Sequence, residues 1–149
     1  MVLAGNPFSH NVRLMLMLGE LVYSGKGKVT AQKVIDTEPA GVETSFSEIG
    51  KLRDLEVTNM GTYVSSGRDD GAMDGGGKGI AMTKDGEVIT WTGKGIGRFT
   101  GAGSMSWRGA LFFHTQSKGK AAFANNMVGM FEYEIDAMGN QTGRVWEWK

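Results

Sequence analysis

The sequence predicts an all-β protein that folds as a closed, mostly antiparallel small β-barrel of about eight strands. Short alternating apolar segments are separated by polar turns, and no regular series of helices lies between them. Glycine supplies 24 of the 149 residues, about twice its usual share of ~7%. Residues 77–80 and 93–96 both read Gly-Lys-Gly-Ile, so glycine also lies inside strand-like segments. Because such glycines contribute no side-chain packing, their repetition indicates the sharply coiled strands of a barrel.

The first 24 residues differ from the rest in their residue pattern, and we expect an N-terminal extension (1–24) before a barrel domain (25–149). Leu14 and Leu18 fit both helical and strand spacing, so the pattern leaves both structures open. The longest apolar run, residues 14–18, is far shorter than the ~18 residues of a membrane-spanning helix. The segment also lacks a convincing signal-peptide cleavage site. We therefore expect a cytoplasmic protein with no membrane partner.

From residue 28 onward, strand candidates follow one another at short intervals. Asp85-Gly86 and Gly139-Asn140 each lie between apolar runs and indicate hairpin turns. Residues 118–126 form the one further helical candidate, with Ser117 as its N-cap. The predicted strands are 28–35, 42–49, 52–58, 62–66, 79–83, 88–94, 106–115, 128–136 and 143–148.

Composition excludes several classes of site. Sixteen basic residues balance sixteen acidic residues without a long run of either sign, which argues against a nucleic-acid partner. There is no cysteine, and only His10 and His114 are available as imidazole ligands, so we expect no metal site and no cofactor.

The Gly-Lys pairs are interpreted as structural. None is followed by the Ser or Thr that a phosphate-binding loop requires, so Gly79, Gly95 and Gly97 are expected to serve the backbone. Residues 68–77 contain three aspartates but lack oxygen ligands at the required positions of a calcium loop. We expect a mobile loop there.

Residues 106–115 combine aromatic side chains with an arginine and a histidine, and they are therefore the strongest candidate segment for a functional site. Strand alternation places Trp107, Leu111 and Phe113 on one face, and Arg108 and His114 on the other. The first face is predicted to be core.

Residues 131–136 alternate aromatic or apolar side chains with acidic ones, and two interpretations of Glu132 remain open. In the first, Glu132 belongs to a solvated face above a core face. In the second, Glu132 lies inside the barrel mouth and pairs with Arg108, where desolvation would make it an acid, a base or a ligand anchor. Tyr63, Trp91 and Trp107 would then supply the apolar wall.

Six segments between about residues 25 and 149 carry a resemblance to a known family: GKGKVTAQKV, LEVTNMGTYVSSG, GIAMTKDGEVITWTGKGIGRFTG, MSWRGALFFHT, FANNMVGMFEYEID and GRVWEWK. Together they resemble a small uncharacterised bacterial family whose fold is grouped with the allene oxide cyclase barrels. The resemblance implies a compact eight-stranded antiparallel barrel. Plant allene oxide cyclases close a ring in an unsaturated fatty-acid epoxide inside such a barrel, without a cofactor.

Three functional hypotheses follow. The first is a barrel that binds an apolar or amphipathic small molecule through Tyr63, Trp91, Trp107, Arg108 and Glu132. The second is a cofactor-free isomerase, cyclase or lyase in which Arg108 stabilises negative charge and Glu132 moves a proton. The third is an oligomeric structural or interaction protein with a packed barrel. A cavity of several hundred Å³ would favour ligand binding, and a filled interior would favour the third hypothesis.

Overall fold

The computed structural model describes residues 19–149, which form a closed barrel of eight antiparallel strands. Each strand pairs with the next along the chain, and β8 pairs with β1 to close the sheet. The predicted fold class is therefore confirmed. The strands are β1 (Leu21–Thr37), β2 (Ala40–Leu52), β3 (Leu55–Gly67), β4 (Met73–Thr83), β5 (Val88–Gly101), β6 (Ser104–Thr115), β7 (Val128–Ile135) and β8 (Asn140–Glu147).

Three local predictions differ from the structure. The strands predicted at 52–58 and 62–66 belong to one strand, β3, because its pairing with β2 and β4 continues through Gly61. Within the predicted loop 68–77, β4 already begins at Met73. The helix predicted at 118–126 is a short 3₁₀ helix, Lys120–Ala124, without a side-chain cap.

Strand β1 includes the last residues of the predicted N-terminal extension. Tyr23 pairs with Leu52 of β2 and with Val145 of β8, so residues 21–24 lie in the barrel wall. Residues 1–18, with Leu14, Leu18 and His10, lie outside the described residues. The extension as a separate unit stays a prediction.

Side chains alternate between the interior and the outer wall. In β6, Trp107 and Phe113 are buried, while Arg108, Phe112 and His114 are exposed, so the predicted alternation of this strand is confirmed. The alternation follows from the period-2 geometry of a strand. In a closed barrel it separates an inner from an outer set of residues in every strand.

Large interior rings lie across pairs of interior glycines. The Trp91 indole occupies the space that a Cβ would need at Gly79, and together with the Phe46 ring it fills the space at Gly61, which faces Gly79 across β3 and β4. The Trp107 indole covers Gly75 and Gly97 in the same way. These glycines therefore make room for aromatic rings, as expected for glycines that serve the backbone and the packing.

One end of the barrel is closed by the segment between β6 and β7. Ala121 and Ala124 of the 3₁₀ helix are fully buried, and they belong to the same apolar cluster as Leu52, Ile89 and Phe113. This cluster is the packed core of the protein. Within residues 19–149, no helix has the length and apolar character needed to span a membrane.

Candidate functional site

Glu48 lies inside the barrel, on a row of paired residues that runs across four strands. Asn59 of β3 pairs with Glu48 of β2, Glu48 pairs with Gly27 of β1, and Gly27 pairs with Gln141 of β8. Gly27 has no side chain, so the Gln141 amide reaches across it and its Nε2 lies 2.7 Å from Glu48 Oε2. Barrel closure thus joins residues that are 93 positions apart in sequence.

Three neutral groups donate hydrogen bonds to the Glu48 carboxylate. In addition to Gln141, the Tyr23 hydroxyl lies 2.6 Å from Oε1, and Asn59 Nδ2 lies 3.2 Å from the same oxygen. Glu48 is only 3% exposed. A carboxylate that accepts all its hydrogen bonds has the pattern of the ionised form, because a protonated carboxyl would also need an acceptor for its own proton.

Outer members of the network orient the two amides. Trp91 Nε1 donates to Asn59 Oδ1 at 2.8 Å, which turns the Asn59 amino group toward Glu48. The Tyr133 hydroxyl donates to Gln141 Oε1, which turns the Gln141 amino group toward Glu48 as well. Each amide is therefore bonded at both its oxygen and its nitrogen, and the donors around the carboxylate are held in place.

The interior tyrosines are held in their neutral form. Burial raises the pKa of Tyr23 well above its usual range, and the negative charge of Glu48 raises it further. Burial also raises the pKa of Tyr63 and of Tyr133. Desolvation disfavours a charged phenolate, so all three hydroxyls remain hydrogen-bond donors at neutral pH.

A cavity of about 100 Å³ lies beside this network. Its walls are mainly aromatic and aliphatic, and the charged or amide residues that border it are Glu48, Asn59, Lys94, Glu132 and Arg144, of which only Glu48 and Asn59 are buried. The indole Nε1 of Trp107 is buried and has no hydrogen-bond partner among residues 19–149. A buried N–H without an acceptor costs about 1–3 kcal/mol, and this unused donor belongs to a residue that borders the cavity. The aromatic side chains in the wall are Tyr23, Phe46, Tyr63, Trp91, Trp107, Phe113, Phe131 and Tyr133.

Four of the five residues proposed from sequence border the cavity, namely Tyr63, Trp91, Trp107 and Glu132. The three aromatic rings among them belong to one connected cluster. The Tyr63 centroid lies 5.6 Å from that of Trp107, and the Phe46 centroid lies 6.2 Å from that of Trp91. Both separations are typical of favourable aromatic pairs.

Arg108 and Glu132 meet as expected, but on the outer wall instead of at a polar end of the cavity. They pair across β6 and β7, and Arg108 Nε lies 3.7 Å from Glu132 Oε1. Arg108 also contacts Glu134 at 2.8 Å, and Arg144 contacts Glu132 at 3.4 Å. The physical reason is strand alternation: Arg108 follows the inward Trp107, so its side chain points outward and is 51% exposed. Glu132 borders the cavity, while its carboxylate is bound by arginines outside it.

We expect Arg108→Ala to lower the free energy of unfolding by no more than about 1 kcal/mol, because exposed ion pairs contribute little. Arg144→Ala, which removes the other cation beside Glu132, is the matched control and should have an effect of similar size. Urea unfolding followed by circular dichroism measures both. A loss of several kcal/mol for Arg108→Ala alone would contradict this assignment to the outer wall.

Glu48, the central residue of the site, is not among the site residues predicted from the sequence. Alternation within the predicted strand 42–49 places Glu48 on the same face as Thr44 and Phe46, and that pattern was the available signal for a buried carboxylate. Tyr23, Asn59 and Gln141 carry no comparable local signal. Each of them becomes part of the site only through pairing with another strand.

Among the described residues, no group of three His, Asp or Glu side chains is arranged to hold a metal ion. A single carboxylate with neutral amide and phenol neighbours is suited to hydrogen bonding and to charge recognition.

The barrel is similar to solved structures of proteins of unknown function. One, from Clostridium acetobutylicum ATCC 824, is 15% identical, with a TM-score of 0.74 over 87% of this chain and 95% of that chain. Another, a conserved protein from Rhodopseudomonas palustris, is 11% identical, with a TM-score of 0.69 over 86% of this chain and 94% of that chain. At these identities the similarity shows the fold alone. No known family and no curated protein matches the sequence.

Proposed function

We propose that this protein binds a compact small molecule inside its barrel, with the aromatic cavity enclosing an apolar body and the buried polar groups orienting it. The observation that carries the proposal is the cavity beside Glu48, whose wall also includes Trp107, a residue with a buried and unpartnered indole Nε1. A barrel that serves only as a packed scaffold has its interior filled by side chains. Here buried polar groups adjoin unfilled space, which is the usual composition of a ligand site.

The size of the cavity limits the ligand. Its volume of about 100 Å³ is well below the several hundred Å³ that is typical of small-molecule sites. An engineered apolar cavity of about 150 Å³ holds one benzene molecule. The part of the ligand that this cavity encloses therefore has about six non-hydrogen atoms at most, and it is a whole small molecule or the narrow end of a larger one. The sequence-based expectation of an apolar or amphipathic ligand is kept, with this smaller size.

The small bacterial family that the sequence resembles has a fold grouped with the allene oxide cyclase barrels. Plant allene oxide cyclases carry out their chemistry inside the barrel, and the site that we propose for this protein is also interior. Arg108 and Glu132 are not part of the proposed binding site, because their ion pair lies on the outer wall. Cytoplasmic location and the absence of a nucleic-acid partner remain part of the proposal on compositional grounds.

Calorimetric titration of the protein with cyclopentanol, phenol and cyclopentylammonium tests the proposal. At least one of these should bind saturably, with a Kd of about 1 mM, which is reasonable for so few atoms. Leu111→Phe adds volume at the cavity wall and should weaken binding by about tenfold or more.

The matched control is Phe112→Leu, the reverse exchange at the next residue, whose side chain is exposed on the outer wall. It should leave the Kd unchanged. Failure of all three compounds to bind the wild-type protein, or equal loss of binding in both variants, would overturn the proposal.

A further inference from the structure

We infer that the cavity selects a cation, and that its ligand carries an ammonium group that pairs with Glu48 while the aromatic rings enclose its apolar part. This inference rests on the proposed binding function and adds the charge of the ligand to it. It depends on three separate features of the interior: an uncompensated carboxylate, a free acceptor position on that carboxylate, and an aromatic surround.

The first feature is the uncompensated charge. Glu48 makes no ion pair within residues 19–149. The two cationic residues that border the cavity, Lys94 and Arg144, have exposed side chains, and Arg144 pairs with Glu132 instead. The three hydrogen-bond donors to Glu48 are a phenol and two amides, which bring no positive charge. Burying an anion without a cation is costly, even when hydrogen bonds satisfy its oxygens. A cationic ligand offsets this cost, and a neutral ligand of the same shape does not.

The second feature is a free acceptor position. A carboxylate has about two acceptor positions on each oxygen. Oε1 of Glu48 accepts from Tyr23 and Asn59, whereas Oε2 accepts only from Gln141 among the described residues. Gly143 borders the cavity next to this oxygen, and a Cβ at position 143 would lie 3.2 Å from Oε2. Glycine at this position therefore leaves room beside the oxygen that still has an acceptor position.

The third feature is the aromatic surround. Phe46, Tyr63 and Tyr133 form a mutually contacting group, with ring centroids 5.6–6.2 Å apart. Trp91 and Trp107 extend this group through Phe46 and Tyr63. The negative faces of aromatic rings attract cations, most strongly where water is excluded. The Glu48 carboxylate and the aromatic rings therefore both favour a positively charged ligand.

Cyclopentylammonium and cyclopentanol make a suitable pair of probes, because they share one ring and have the same number of non-hydrogen atoms. In calorimetric titrations near neutral pH, the wild-type protein should bind the ammonium compound about tenfold more tightly. Glu48→Gln should remove this preference while cyclopentanol still binds. Glu43→Gln is the matched control on the opposite face of the same strand and should retain the preference.

The outcomes separate the two proposals. Binding of cyclopentanol with no preference for the ammonium compound in the wild-type protein would overturn the charge inference and leave the binding function standing. Failure of the whole set of small ring compounds to bind would overturn both. If Glu48→Gln does not fold, two other measurements test the inference: the preference of the wild-type protein and the effect of Gly143→Ala. The added methyl group of Gly143→Ala should weaken binding of the ammonium compound more than binding of cyclopentanol. Retention of the full preference in a folded Glu48→Gln protein would also overturn the inference.

Discussion

Replacement of Gly109 by valine is expected to destabilise the protein by more than about 4 kcal/mol, a large part of the stability of a typical domain. Gly109 lies on β6 opposite Gly95 of β5. A Cβ at position 109 would clash with the carbonyl oxygen of Lys94 and would lie 2.6 Å from Gly95 Cα. Both are backbone atoms of a paired strand, so neither can move without disturbing the hydrogen-bond ladder. The Phe131 ring, 2.7 Å away, blocks the remaining direction.

Urea unfolding followed by circular dichroism measures this effect. Gly76→Val is the control, because Gly76 faces outward on β4 and its Cβ would meet only the carbonyl oxygen of Gly93, at 3.9 Å. The control should change the free energy of unfolding by less than about 1 kcal/mol, since valine suits an exposed strand position. Similar stabilities for the two variants would contradict the close strand packing described here.

A steep loss of stability above about pH 10 is the second large effect that we expect. All three tyrosines of the chain lie inside the barrel, and burial raises the pKa of each in the folded state. Below the ordinary tyrosine pKa of 10.0 the folded and the unfolded protein both keep these protons, so tyrosine ionisation does not yet reduce the free energy of unfolding. Above it the unfolded chain ionises while the folded protein does not. Each tyrosine then lowers the free energy of unfolding by about 1.4 kcal/mol per pH unit, and the three together lower it by about 4 kcal/mol per pH unit.

Urea unfolding at a series of alkaline pH values measures the slope, and tyrosinate absorbance should appear together with unfolding. Tyr133→Phe is informative because it removes one of the three ionising groups. It should reduce the slope by about one third, whatever it does to stability at neutral pH. Tyrosinate absorbance that appears in the folded protein near the ordinary pKa would show that the hydroxyls are accessible to solvent, contrary to this structure.

Several features of the fold could be predicted because they depend on residues close together in the chain. Alternation in β6 assigns Trp107 to the interior and Arg108 to the outside once the direction of the core face is known. The Asp85-Gly86 turn likewise marks the hairpin between β4 and β5. The break predicted near Gly61 was wrong for a related reason. Glycine usually interrupts a strand, but Gly61 accommodates the rings of Phe46 and Trp91, which belong to other strands.

The candidate site could not be predicted from local sequence patterns. Sequence alone determined that this chain is an all-β barrel rich in glycine, because period-2 alternation and turn chemistry act between near neighbours. Only the tertiary structure decided that Glu48 is buried with Tyr23, Asn59 and Gln141, and that Arg108 and Glu132 pair outside. Those relations depend on strand register and on the closure of β8 against β1. Register joins residues as far apart as 48 and 141, a separation across which no sequence periodicity operates.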